Sequence, residues 1–205
     1  MKYLIITYIA LQINISGAQN YDKLDYLQSQ WTIIKQMEPS HNKQSKLNNL
    51  TMTASQMVLN NPGNPNYLHW EAQVYLLQIE NSNKFKSISY AKHARNSLLE
   101  AIKLSQGKLK GNIYSTLGYL YLVSPKLSLS LKSKSKEQYY LLKGLQLNPD
   151  GLQSNYYYAL YLLNKGHGSE IAQEYLIKAL NAKQTFLNKD SSELMKKEIQ
   201  LTINN

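Results

Sequence analysis

The sequence contains no cysteine. That removes disulfides, thiolate metal sites, a cysteine nucleophile and an anchor through an acylated N-terminal cysteine. Arginine is almost as scarce: Arg95 is the single one, so the formal net charge of +10 is carried by lysine. A basic chain raises the question of nucleic acid, but the side chain that reads base edges and clamps phosphates bidentately is nearly missing. Lysines scattered along helices read as solvated faces, and no nucleic-acid partner is expected. Aspartate occurs only at 22, 25, 150 and 190. Asp150 and Asp190 stand where helices begin, and Glu193 follows Asp190 at capping-box spacing. A pair of acids facing a cleft for acid–base hydrolysis is not indicated.

Motifs that carry chemistry are equally sparse. None of His41, His69, His93 and His167 has another histidine three or four residues away, so no zinc-binding pair appears. KGHGSEI at 165–171 holds a Gly-x-Gly without the preceding strand or third glycine of a dinucleotide loop. GKLKG at 107–111 lacks the ending of a phosphate loop, and no Gly-x-Ser-x-Gly elbow occurs. The turn between paired helices accounts for Gly166 and Gly168. No cofactor and no metal are expected, and the chain reads as non-enzymatic.

Strand periodicity is confined to PKLSLSLKSKSK at 125–136, where Leu127, Leu129 and Leu131 alternate with serine. One short strand without a partner makes no sheet, so this segment reads as a loop. The N-terminal MKYLIITYIALQINISGAQN has a positive start, an apolar run over 3–15 and small residues at Ser16 and Ala18. It reads as a signal peptide cut after Ala18, too short to span a bilayer at ~20 apolar residues. An uncleaved anchor or a buried first helix is the alternative. The expectation is an exported chain, periplasmic or secreted, with no stable membrane anchor after cleavage and one domain over 19–205.

What is present in quantity is helical periodicity. Leu68, Ala72, Tyr75, Leu76 and Ile79 make one stripe, as do Ala91, Ala94, Leu98, Ala101 and Ile102, and Ala172, Leu176, Ala179 and Leu180. Pro39, Pro62, Pro65, Pro125 and Pro149 fall between such segments. The pattern predicts nine helices, near 22–37, 42–60, 66–81, 87–105, 112–123, 135–147, 152–165, 170–183 and 190–203. They alternate in kind. One kind carries an aromatic, a Leu-small pair and a second aromatic, clearest in YSTLGYLY with Tyr114, Leu117, Gly118 and Tyr121. The other carries small, large and small residues, as in Ala94-Leu98-Ala101 and Ala172-Leu176-Ala179, with Glu137-Leu141-Gly144 a degraded version. Helices approach most closely where one offers glycine or alanine. A pair that cannot bury its own apolar faces must stack on another.

These residues resemble the tetratricopeptide repeat, whose pattern W-x2-L-G-x2-Y, A-x3-F-x2-A and Pro recurs over ~34 residues. Tyr114 takes the Trp position, while Leu117, Gly118 and Tyr121 match outright. Tyr158, Ala159, Leu162, Gly166, Ala172, Leu176 and Ala179 stand at the pattern positions of the last repeat. The likeness covers about 64–183, with a degenerate pair before it (Trp31, Ile34, Leu50, Ala54, Met57). Ala72 to Gly118 is 46 residues and Gly118 to Ala159 is 41, which places insertions at 81–86, at 124–135 and after the helix over 87–105. The resemblance implies an all-α superhelix of about four helical hairpins plus a C-terminal capping helix. LLKGLQLNPDGLQSNYYYALYLLNKG, with Asn148-Pro149-Asp150-Gly151 opening the last repeat, is also similar to exported bacterial tetratricopeptide-like proteins. Those are related to the T component of tripartite ATP-independent periplasmic transporters. The missing cysteine excludes the lipoprotein form of that component.

In the family the first helix of each pair lines the concave side. By that resemblance Asn66, His69, Gln73, Asn112, Ser115, Tyr119, Gln153, Tyr156 and Leu160 become candidate groove residues for a protein or peptide partner. The alternative for any of them is plain packing or solvation. His69, beside Trp70, reads as an ordinary polar surface histidine, with a ligand contact as the alternative. Seventeen tyrosines against two phenylalanines suggest half-wet aromatic positions. The reading is an exported scaffold that binds a protein or peptide in its groove. A small-ligand- or lipid-binding accessory of a periplasmic transport system is the alternative.

Overall fold

A computed structural model describes residues 23–124, 134–166, 169–183 and 186–204. The expected signal peptide and the Leu-Ser alternation after Pro125 lie outside these residues. Among the described residues the chain is all-helical, with no strand and nine helices in succession. They are α1 (Lys23–Gln36), α2 (His41–Asn60), α3 (Pro65–Glu80), α4 (Lys84–Leu104), α5 (Gly107–Val123), α6 (Lys134–Leu147), α7 (Leu152–Lys165), α8 (Ser169–Leu180) and α9 (Lys189–Ile203).

Local chemistry sets most boundaries. Pro65 opens α3, where a missing N–H costs nothing, and Asn64 accepts the Asn66 N–H. Ser40 and Asn83 cap α2 and α4 by accepting from Lys43 N–H and Lys86 N–H. Gly166 ends α7 in the left-handed conformation at φ 68°, which glycine adopts without strain. Two expected caps are corrected. Asn188, not Asp190, caps α9 by accepting the Ser191 N–H at 3.0 Å, and Asp190 stands in the first turn. Gly151 is the N-cap of α7 and makes no side-chain bond, so Asp150 is not its cap either. At α9 the amide of asparagine reaches the free N–H two residues earlier than the sequence pattern suggests.

The expected insertions also shrink. α4 begins at Lys84, leaving a three-residue link, and α5 begins at Gly107 rather than near 112, so GKLKG lies in the helix. Glycine is a poor helix former, and packing explains its presence there. A Cβ on Gly111 would lie 2.9 Å from Asn148 Cβ and 3.1 Å from the Gly144 carbonyl oxygen. One on Gly118 would lie 2.6 Å from Leu141 Cγ, and one on Gly144 would lie 1.9 Å from Ser115 Oγ. Gly111, Ser115 and Gly118 therefore form a small-residue edge on α5 that receives Leu141 and Gly144 of α6 and Asn148 just beyond it. This is the physical sense of YSTLGYLY.

The same rule orders the other pairs. Ala72, Ala91, Ala94, Ala101, Ala159, Ala172 and Ala179 are all fully enclosed. α3 packs on α4, α5 on α6 and α7 on α8, and each pair packs on the next. Glu137, which breaks the small-residue pattern, is 6% exposed, and its carboxylate pairs with Lys165 of α7. Glu71 is likewise enclosed, accepting Ser55 Oγ of α2 and Ser97 Oγ of α4, each at 2.7 Å.

α3 occupies the centre. Thirteen of its sixteen residues are buried, because it serves two apolar clusters. Leu68, Ala72, Tyr75, Leu76 and Ile79 face α4 and α5. Trp70, Val74 and Leu77 join residues of α1, α2, α7, α8 and α9. Trp31 and Trp70 meet edge-to-face at 5.8 Å, and Trp31 Nε1 donates to the Gln73 carbonyl.

Replacing Gly118 by leucine forces atoms into the backbone and side chain of Leu141. We expect a loss of about 1–3 kcal/mol or more in denaturant unfolding. A Gly118→Leu chain with the parent's midpoint would contradict this packing.

Candidate functional site

The candidate groove residues mostly lie inside the molecule. His69, Gln73, Asn112, Ser115, Gln153 and Tyr156 are buried, while Asn66, Tyr119 and Leu160 keep partial exposure. Three of them share one hydrogen-bond network around Thr116 of α5. The Thr116 hydroxyl donates to the Asn112 carbonyl at 3.0 Å and lies 2.9 Å from His69 Nε2 and 3.4 Å from Gln73 Nε2. A hydroxyl has one proton, and the carbonyl takes it. His69 must therefore present Nε2–H, which assigns its tautomer. Asn112 Oδ1 accepts from Asn148 Nδ2 at 2.8 Å, tying α5 to the end of α6. Ser115 donates to its own helix at Gly111.

His69 is thus corrected from a surface histidine to a core one, 1% exposed, and burial lowers its pKa to about 4. The tyrosines are corrected in part as well. Tyr67, Tyr75, Tyr121, Tyr156, Tyr157 and Tyr161 are buried rather than half-wet. Several pack on one another: Tyr119 and Tyr157 stack at 4.3 Å, Tyr121 and Tyr140 at 5.6 Å.

The odd-numbered helices surround a common interior. Trp31 and Lys35 of α1, Gln73, Leu77 and Glu80 of α3, Tyr119 of α5, Tyr156 and Tyr157 of α7, and Met195 and Glu198 of α9 line a cavity of about 30 Å³. That is room for about one water molecule. The first and last helices meet to close it. Thr32 and Ser191 hydroxyls are 2.7 Å apart, and Lys35 Nζ lies 2.9 Å from Glu198 Oε1. Just before α9, Asn188 Nδ2 donates to Asp25 Oδ1 at 2.8 Å and to Ser29 Oγ at 3.0 Å.

Electrostatics in this interior favour neutral phenols. Burial raises the pKa of Tyr119, and the Glu80 carboxylate adds to it. Burial raises Tyr157 too, against the Gln73 side chain beside it. Tyr156 is pushed up to about 12 by burial and then by Glu198, with a hydrogen bond to Thr202 opposing. Glu80 stands at the exposed rim, yet its carboxyl is ringed by protein. That loss of solvation raises its pKa, and Lys35 opposes the rise.

The sequence reading missed Lys35, Glu80 and Glu198. Trp31 with Lys35, and Gln73 with Leu77 and Glu80, carry helical spacing that puts each set on one face. Nothing local joins α1 to α9. A second, larger cleft of about 480 Å³ lies among Lys108, Asn148, Asp150, Ile177, Lys178, Asn181, Ala182 and Lys183. Among the described residues no group of three or more histidines and acids is placed to hold a metal. No described helix is long and apolar enough to cross a membrane. No family model, curated protein or solved structure matches the chain.

The depressed pKa of His69 has a definite sign. Folded, it stays neutral down to about 4. Unfolded, it takes a proton below its ordinary ~6.5. Stability from this group is therefore full above ~6.5, falls as pH drops toward 4, and levels below that, a loss of roughly 3 kcal/mol. His69→Gln keeps a donor for Thr116 without that titration. Its unfolding free energy should fall less between pH 7 and pH 4 than the parent's, and parallel pH profiles would contradict the assignment.

Proposed function

We propose that the chain is an exported, tetratricopeptide-like helical scaffold that binds a protein or peptide through the mouth of its inner face. The observation that supports this reading most is the convergence of the odd-numbered helices on one interior, with Lys35, Glu80, Tyr119 and Glu198 at or near its rim. Stacked helical pairs present long shared faces of this kind to extended or helical partners. Most polar groups deeper inside bond one another, so they hold pairs together. A rim of mixed charge with adjoining aromatic rings suits recognition of a peptide.

A second reading rests on the 480 Å³ cleft, whose size suits a small ligand and whose three lysines suit an acidic one. In it the chain serves as an accessory to solute transport. Native mass spectrometry of the protein from its own cells should then show a bound small anion. A bare polypeptide mass would count against it.

Photocrosslinking tests the first reading without disturbing the core. A photoreactive residue at exposed position 80 should capture a discrete partner polypeptide in cells. The same residue at position 85, where Phe85 is 84% exposed on the first turn of α4, should not. Equal capture at both positions, or none at 80, would refute binding at the mouth.

A further inference from the structure

α9 differs from the other inner helices in how it is held. It buries only Ser191, Met195 and Ile199, whereas α7 buries nine residues and α3 thirteen. Its attachment to α1 is largely polar and runs in parallel register. Asn188 reaches Asp25 and Ser29, Ser191 reaches Thr32, and Glu198 reaches Lys35. Each of these bonds has an equivalent in water or in another helix of the same chemistry. The apolar part is Met195 and Ile199, four residues apart and enclosed, with Leu194 and Ile203 partly buried beside them, all set into the cluster that holds Trp31 and Tyr156.

We propose that α9 is a resident surrogate for the partner, a displaceable latch on a helix-binding groove. The occupant it stands in for is an amphipathic helix from another polypeptide. That helix carries an apolar stripe with the spacing of Met195, Ile199 and Ile203, and an acid three residues after the first of these that reaches Lys35. The charge argument is specific: Lys35 faces inward with Glu198 as its ion partner, so a helix lacking an acid there leaves that pairing unmade. The inference rests on the mouth being the binding site and adds who fits it and what must move first. While α9 is seated, the remaining cavity of about 30 Å³ admits no side chain of a partner. Binding therefore requires exchange.

Because the chain has no cysteine, a single reducible lock can be introduced cleanly. Thr32 and Ser191 hydroxyls already touch at 2.7 Å, a placement that two cysteine sulfurs can bridge. The test uses the full chain with Thr32→Cys, Ser191→Cys and Glu198→Ala, the last to weaken a tethered helix that otherwise competes at high effective concentration. The probe is a fluorescent peptide of residues 186–204 with native Glu198. The reduced protein should take up the peptide. The oxidised protein, of equal helicity by circular dichroism, should bind it at least about tenfold more weakly. Equal uptake by both forms, or uptake by neither, overturns the latch. Failure of the two readings can be told apart. If crosslinking at position 80 persists with the lock closed, the mouth binds a partner without moving α9, and the latch falls. If the lock controls peptide uptake but position 80 captures nothing in cells, the latch stands and the partner reading falls.

Discussion

The fold depends on how closely α5 and α6 approach. Three positions with little or no side chain, Gly111, Ser115 and Gly118, receive Leu141, Gly144 and Asn148, and no Cβ fits at Gly111 or Gly118 without displacing Asn148 or Leu141. Close contact at this pair brings Asn148 near enough to bond Asn112. Asn112 in turn supplies the carbonyl that orients Thr116, and Thr116 anchors His69 and Gln73 of α3. A steric fit in one pair thus fixes a polar network that spans the next. Each buried polar group in that network would cost stability if left alone, so the network also penalises other registers between the pairs.

Burial governs the protonation of this interior. Its tyrosines are held neutral by burial, and His69 cannot take a proton near neutral pH. Charge collects at the rim, where Lys35 sits between Glu80 and Glu198. The rim is also where the first and last helices meet. α1 and the segment that carries α9 join residues that lie 163 apart in sequence through hydrogen bonds and an ion pair. α9 buries fewer residues than α3 or α7, and local opening favours elements with fewer buried contacts.

Much of this is legible in the sequence, for reasons that differ by residue. Ala94, Leu98, Ala101, Ala172, Leu176 and Ala179 are readable because a single apolar stripe has a period of 3.6, and all six are enclosed. α3 is half legible. Its stripe from Leu68 to Ile79 stands out, but Trp70, Val74 and Leu77 face a second cluster, and a helix buried on two sides has no clean polar face to reveal it. His69 misleads because its burial depends on Thr116, 47 residues away. Gly107 and Gly111 suggest a helix start near 112 because local propensity disfavours them in helices, and at Gly111 only the approach of α6 shows why glycine is tolerated. The groove candidates sit on α3, α5 and α7, three of the helices that surround the interior. That α9 covers the same side depends on pairings no local pattern encodes.

The central claim is that side-chain absence on α5 and side-chain bulk on α6 are one interaction. A double-mutant cycle measures it directly, with unfolding free energies for Gly118→Ala, Leu141→Ala and both together. Truncating Leu141 removes the atoms that the new Cβ would strike, so the combined loss should fall short of additive by about 0.5–3 kcal/mol. Strictly additive losses would mean that Gly118 and Leu141 do not meet, and the account of the fold would be wrong at its base.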